Sequence, residues 1–189
     1  MQEGVVIKST GSWYEVRTEN GEVVLCRLRG KIRLDGIRTT NPVAVGDKAF
    51  FEKENNKDTC VINKILPRYN VIVRKSVNLS KASHIIASNI DQAILVATIA
   101  QPRTSTGFID RFLVTSEAYH IPTIIVFNKC DLYDKEQMSQ AEELISVFKS
   151  IGYHSFMLSA KTGYQCEELK SIMQNKVNLF SGHSGVGKS

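Results

Sequence analysis

The sequence predicts two unlike parts, a small all-β barrel and then an α/β domain built on a parallel sheet. Three observations carry this. Residues 1–67 hold short runs of β-branched and aromatic residues separated by turn signals. From residue 89 onward, apolar runs of strand length alternate with stretches of helical spacing, the pattern of a parallel sheet with helices on its faces. Between the two, Leu66-Pro67-Arg68-Tyr69-Asn70 marks a change of texture, because Pro67 cannot donate to a central strand.

In the first part the strand runs are 5–7, 13–18, 23–28, 49–52 and 59–62. Thr10-Gly11-Ser12, Glu19-Asn20-Gly21, Val45-Gly46-Asp47 and Glu54-Asn55-Asn56 separate them. Asn20-Gly21 between two such runs signals a hairpin. Strands this short and numerous suit a closed barrel. An OB-fold is the natural candidate, and an SH3-like barrel would give much the same pattern.

In the second part, 89–98 carries a strand in its apolar half. The stretch 107–119 has apolar residues at 108, 109, 112 and 113, a helical spacing. Residues 123–127 read as a short buried strand. Residues 134–150 read as a helix with Met138, Ala141, Leu144, Ile145 and Phe148 on one face. Asp134 with Gln137 resembles a capping box, and Gly152 suits the stop. A strand at 156–158, a helix at 167–174 and a strand at 177–180 complete the alternation.

Composition removes several classes. Of 189 residues, 42% are hydrophobic and 23% charged, which excludes disorder as the main state. There is no uninterrupted apolar run of about 18 residues, so no transmembrane helix is expected. Met1-Gln2-Glu3-Gly4 does not begin a secretory signal, and Gly4 is not placed for myristoylation. The cysteines at 26, 60, 130 and 166 form no short pair of a zinc site and read as reduced thiols in a cytoplasm. A net charge of +5 hints at a polyanionic partner.

Three motifs carry chemistry. Gly182-His183-Ser184-Gly185-Val186-Gly187-Lys188-Ser189 fits the phosphate-loop pattern G-x-x-x-x-G-K-[ST] after a predicted strand. Its glycines let backbone N–H groups converge on phosphate oxygens. Lys188 places a charge on the β- and γ-phosphates, and the Ser189 hydroxyl ligates Mg²⁺. His183 and Ser184 fill variable loop positions. The second motif, Asn128-Lys129-Cys130-Asp131, follows the strand at 123–127 and matches the guanine-recognition motif N-K-x-D. The Asp131 carboxylate suits guanine N1–H and its 2-amino group. Adenine would leave it unpaired, a mismatch that rejects a competitor by ~10⁴-fold or more. Lys129 covers the base and Asn128 braces the loop. The third motif, Ser159-Ala160-Lys161, falls one βα unit later, where a backbone N–H would meet guanine O6.

Their order is inverted. In ordinary GTPases the phosphate loop opens the domain; here the base motifs precede it. This is the pattern of a circularly permuted GTPase, a rearrangement that is cheap when the original termini lie close together at the surface. Residues 26–40 add a basic run. It holds Arg27, Arg29, Lys31, Arg33 and Arg38 against one acid, Asp35. Alternation places the first four on one face of a regular strand, where an OB barrel would contact RNA. Trp13 is expected in the barrel core, as a lone tryptophan in a small barrel usually is. In the competing reading, Trp13 and Tyr14 stack on unpaired bases.

With these motifs in place, the chain resembles the small-ribosomal-subunit-dependent, circularly permuted GTPases of bacteria. The resemblance runs through Cys26-Arg27-Leu28-Arg29-Gly30-Lys31, Val45-Gly46-Asp47, Pro67-Arg68-Tyr69-Asn70, Asn89-Ile90-Asp91-Gln92, Asp110-Arg111-Phe112-Leu113 and the three motifs above. It implies an OB-type RNA-binding domain over 1–67, a linker and domain entry over 68–88, and a permuted P-loop GTPase domain over 89–189. It implies GTP/GDP with Mg²⁺ as ligand and the small ribosomal subunit with its rRNA as partner. GTP hydrolysis would act late in that subunit's assembly, in a cytoplasmic monomer with no membrane contact. The family continues past the phosphate loop with a helix, a switch segment, an Asp-x-x-Gly motif and a zinc domain. The chain therefore reads as truncated after the loop and as inactive by itself, with zinc confined to the missing domain and no catalytic residue assigned. The rivals are a non-catalytic RNA-binding module with a vestigial or purely regulatory nucleotide site, and an ATP-using P-loop protein beginning at Gly182.

Overall fold

A computed structural model of the chain describes residues 1–30, 42–54, 58–75 and 83–188. Contacts divide it into two compact units, Met1–Asn89 and Ile90–Ser189.

In the first unit, β1 (Gln2–Thr10), β2 (Trp13–Thr18), β3 (Val23–Leu28), β4 (Lys48–Lys53) and β5 (Cys60–Ile65) close into a barrel in the order β1-β2-β3-β5-β4. β4 returns to pair with β1, and the β3–β5 pair is parallel. This is an OB-like barrel. Strand alternation sends Val6, Tyr14, Val16, Cys26, Ala49, Phe51 and Ile62 inward, where they form one core. Trp13 is not among them. It is 41% exposed while Tyr14 is 3% exposed, so the expectation of a core tryptophan is corrected. The reason is parity: Trp13 shares its strand face with Glu15 and Arg17, and Tyr14 shares its face with Val16.

Residues 68–88, expected as a linker, contain an antiparallel pair, β6 (Val71–Lys75) and β7 (Ser83–Ser88). A buried ionic cluster ties this pair to the barrel. Arg68 reaches Asp47 with two hydrogen bonds of 2.6 Å and donates a third to the Pro42 carbonyl at 2.8 Å. Ser88 Oγ donates to Asp47 Oδ1 at 2.6 Å, the Ala44 N–H donates to Oδ2 at 2.8 Å, and Asn89 Nδ2 donates to the Gly46 carbonyl at 2.9 Å. Gly46 has φ +92°, and a Cβ there would collide with the Ser88 carbonyl oxygen, so the turn accepts only glycine. The Val45-Gly46-Asp47 and Pro67-Arg68-Tyr69-Asn70 segments thus meet in one structural joint.

The second unit runs β8 (Gln92–Ala97), α1 (Thr106–Ala118), β9 (Thr123–Phe127), α2 (Lys135–Ser150), β10 (His154–Met157), α3 (Cys166–Met173) and β11 (Asn178–Ser181). The four strands are parallel, in the order β10-β9-β8-β11. β8 and β9 are buried along their whole length, which is why they read as continuous apolar runs. α1 and α2 cover one face through Ile109, Leu113, Ala141 and Phe148. α3 lies against the other, with Leu169 and Ile172 against Ile94, Val126 and Phe156. The Asp134–Gln137 capping box forms with both reciprocal hydrogen bonds. At the amino ends of the strands, buried Gln92 donates to the Ile172 carbonyl at 3.0 Å and to Asn178 Oδ1 at 2.6 Å, fastening β8 to the α3–β11 connection.

Candidate nucleotide-binding site

Parallel strands deliver the loops after β8, β9, β10 and β11 to one edge of the sheet, the edge where α/β proteins hold ligands. All three sequence motifs lie there. Asn128, 2% exposed, joins them. Its backbone N–H donates to the Ala97 carbonyl at 2.8 Å. Its Nδ2 donates to the Val186 carbonyl in the phosphate loop at 2.8 Å, and its Oδ1 accepts the Ala160 N–H at 3.0 Å. A carbonyl on one side and an N–H on the other leave one orientation for the amide.

The phosphate loop is shaped by that contact. Gly187 has φ +91°, and a Cβ on it would strike Asn128 Nδ2; Gly182 has φ +143°, and a Cβ would strike the Val96 carbonyl oxygen. Val186 between them is fully buried against the α3 side of the sheet. The result is a backbone cradle that side chains would fill, the fit a phosphate group needs. Lys188 Nζ curls over it, donating to the Gly182 carbonyl at 3.0 Å and to the His183 carbonyl at 2.6 Å. The His183 ring packs on Phe108 of α1, with centroids 3.9 Å apart. Ser184 and Gly185 are exposed. Ser189, the expected magnesium ligand, lies outside the described residues.

The base motifs sit beside each other. Ser159, fully buried, donates its hydroxyl to Asp131 Oδ1 at 2.6 Å and accepts the Thr162 N–H at 3.2 Å. Asp131 is itself exposed, so the carboxylate is aimed by a buried partner while facing solvent. Lys129 has φ +66° and donates Nζ to the Gln101 carbonyl at 2.7 Å. Lys161 is exposed on the loop that supplies Ala160.

Tyr133, which carries no sequence motif, belongs to this arrangement. Its hydroxyl donates to the Asn128 carbonyl at 2.7 Å and accepts the Ile99 N–H at 3.1 Å. Burial pushes its phenol above the usual tyrosine range. It stands two residues beyond Asp131, at the end of a 3-10 turn over Cys130–Leu132. Among the described residues, no group of three or more His, Cys, Asp or Glu side chains is placed to hold a metal.

The barrel candidates are placed in part. Arg27 lies on β3 and pairs with Glu54 at 2.7 Å, and Arg29 pairs with Glu52 at 3.0 Å. β3 ends at Leu28, so one regular strand does not carry the basic alternation through Arg33. Lys31, Arg33 and Arg38 lie outside the described residues.

A family model described as RsgA GTPase matches residues 65–189, and one described as RsgA N-terminal domain matches residues 3–61. A small ribosomal subunit biogenesis GTPase RsgA of Bacteroides fragilis is 51% identical over 99% of this chain and 60% of its own length. Its namesake in Flavobacterium psychrophilum is 52% identical over 98% of this chain and 58% of its own length. The chain thus spans about 60% of the length of these relatives. Among solved structures, YjeQ from Thermotoga maritima matches all of the chain and 62% of its own, with a TM-score of 0.81 and 36% identity. YloQ, described as a circularly permuted GTPase, matches with a TM-score of 0.76 and 33% identity, again over 62% of its length.

Proposed function

Because the chain belongs to the RsgA GTPase family, we propose that it is the RNA-contacting and nucleotide-holding part of a GTPase that acts on the small ribosomal subunit late in its assembly. The observation that carries this is Asn128, one buried amide hydrogen-bonded to the phosphate loop and to the base loop together. Asp131, oriented by Ser159, reads guanine N1–H and the 2-amino group. The Lys129 stem covers the base. The Ala160 N–H is already donated to Asn128, so guanine O6 shares that donor or draws on the N–H of Lys161. Glycines 182, 185 and 187 turn backbone N–H groups toward the phosphates, and Lys188 exchanges its two carbonyl contacts for phosphate oxygens. Ser189 would hold Mg²⁺, which when bound neutralises phosphate charge. On the barrel, Arg27, Arg29, Lys31, Arg33 and Arg38 contact rRNA. The protein works as a monomer in the cytoplasm; none of the described helices is long and apolar enough to cross a membrane.

The test is base selectivity in the full-length protein. GTP and GDP should bind at least ~10⁴-fold more tightly than ATP. Asp131→Asn should shift preference to xanthosine nucleotides, because the amide offers a donor to the xanthine 2-oxo group. Small ribosomal subunits should accelerate GTP hydrolysis. Equal affinity for ATP and GTP would refute the guanine reading.

A further inference from the structure

The geometry points to a base-stacking platform on the outer face of β2 and β3, made of Trp13 and Arg27 and fitted to an unpaired RNA base. This inference rests on the RNA-binding reading of the barrel and narrows it to a surface and a ligand. Trp13 and Arg27 are directly opposed partners across the β2–β3 ladder. The Arg27 guanidinium carbon stands 5.4 Å from the centre of the indole. Glu54 holds the guanidinium at 2.7 Å, and Thr59 donates its hydroxyl to the same Glu54 oxygen at 2.9 Å. The chain Thr59–Glu54–Arg27–Trp13 therefore fixes the two planar groups from the adjoining β4–β5 connection. It leaves Arg27 Nε buried with no hydrogen-bond partner among the described residues. The indole stays 41% exposed, and along the same face Leu25 is 43% and Val23 52% exposed.

Charge decides what this face recognises. Arg27 and Arg29 are each neutralised by a glutamate, so the described surface offers planes more than net positive charge. An RNA duplex presents phosphates and hides its ring faces; an unpaired base presents a ring. Stacking on an aromatic plane works for any base, since each has a π-face. Position favours RNA over a protein partner. The face beside the β1–β2 and β4–β5 connections is where OB barrels hold oligonucleotides. Trp13 opens β2 directly after the first of these connections, and Glu54 and Thr59 flank the second.

Trp13 is the only tryptophan in the sequence, so its fluorescence reports on this face alone. The experiment titrates the 189-residue chain with an eight-nucleotide oligoriboadenylate and with an RNA duplex, across a salt series. The single strand should quench Trp13. Trp13→Ala should weaken single-strand binding, followed by anisotropy of a labelled oligonucleotide, by ~5- to 150-fold, the range for loss of one stacked base. The slope of affinity against salt should be unchanged, because no phosphate contact is removed. Trp13→Phe, which keeps a plane and checks folding, should recover most of the affinity. Single-strand binding with no quenching and no loss in Trp13→Ala would overturn the platform and leave RNA binding by the barrel standing. Absence of binding to either RNA would overturn both. Quenching by RNA-free ribosomal proteins, and not by the oligonucleotide, would assign the face to a protein partner and overturn it as well.

Discussion

Asn128 spends both ends of its amide on loops, so its own position has to be secured by something else, and Tyr133 does this. Tyr133→Phe removes the donor to the Asn128 carbonyl and the acceptor for the Ile99 N–H. It should lower unfolding stability by ~1–3 kcal/mol in urea titrations, the cost of leaving buried polar groups unpaired. Guanine nucleotide affinity should fall with it, read with a fluorescent GDP analogue. A second residue-level expectation concerns Cys26. Burial, and then its neighbour Cys60, pushes the Cys26 thiol from 9.0 up to about 12. The unfolded chain therefore loses this proton first as pH rises. The stability it contributes is complete below pH 9.0 and is lost on the way to about pH 12. Urea midpoints measured from pH 8 to 11 should fall more steeply for the parent than for Cys26→Ala. The sequence disclosed these residues unevenly. Asn128, Asp131, Ser159 and Gly187 were legible because their chemistry dictates type and spacing. Tyr133 was not, since a lone tyrosine in a turn has no pattern. Trp13 was misplaced by its residue type, although Glu15 and Arg17 at its own parity pointed outward.

At the scale of elements, the segment 68–88 at the end of the first unit shows what pattern reading misses. Pro67 suggested a boundary, yet the chain beyond it pairs as β6 and β7 and is tied back to the barrel. The tie is ionic and long-range, so no local periodicity announces it. Arg68 and Asp47 are 8% and 0% exposed, which makes the pair costly to break from one side. Asp47→Ala should destabilise the first unit by ~3–5 kcal/mol, because it leaves a buried guanidinium uncompensated. Removing both charges together, as Asp47→Ala with Arg68→Met, should cost less than Asp47→Ala alone. Thermal unfolding of the single and double variants gives the comparison. Elements with strong periodicity fared better. The strand at 123–127 was placed to the residue and α2 to within one position, since burial and the Asp134 cap constrain both ends.

For the whole molecule, each unit buries a core of its own, around Phe51 and Ile62 in the first and around Leu95 and Phe127 in the second. Residues 1–89 expressed alone should therefore fold, with a cooperative melt and dispersed amide resonances. The fold class was legible because the two halves carry different periods, and the inverted motif order named the permutation. The arrangement of the sheet also sets a timetable. β11 pairs with β8, and Asn178 meets Gln92 from 86 positions later in the chain. A protein made from its amino end finishes the loops at 128–131 and 159–161 before the glycine-rich loop that starts at Gly182. At ~5–20 residues per second, the roughly fifty residues between Asp131 and Gly182 correspond to several seconds of synthesis. Through that interval β8, apolar from Ala93 to Ala97, has its flank bare, the kind of edge on which nascent chains stick to one another. When β11 arrives it closes the flank and delivers the loop that meets Asn128 in the same movement. The contact between Asn128 and the Val186 carbonyl is thereby a record of order: it forms only in a chain whose β8 flank β11 has already covered.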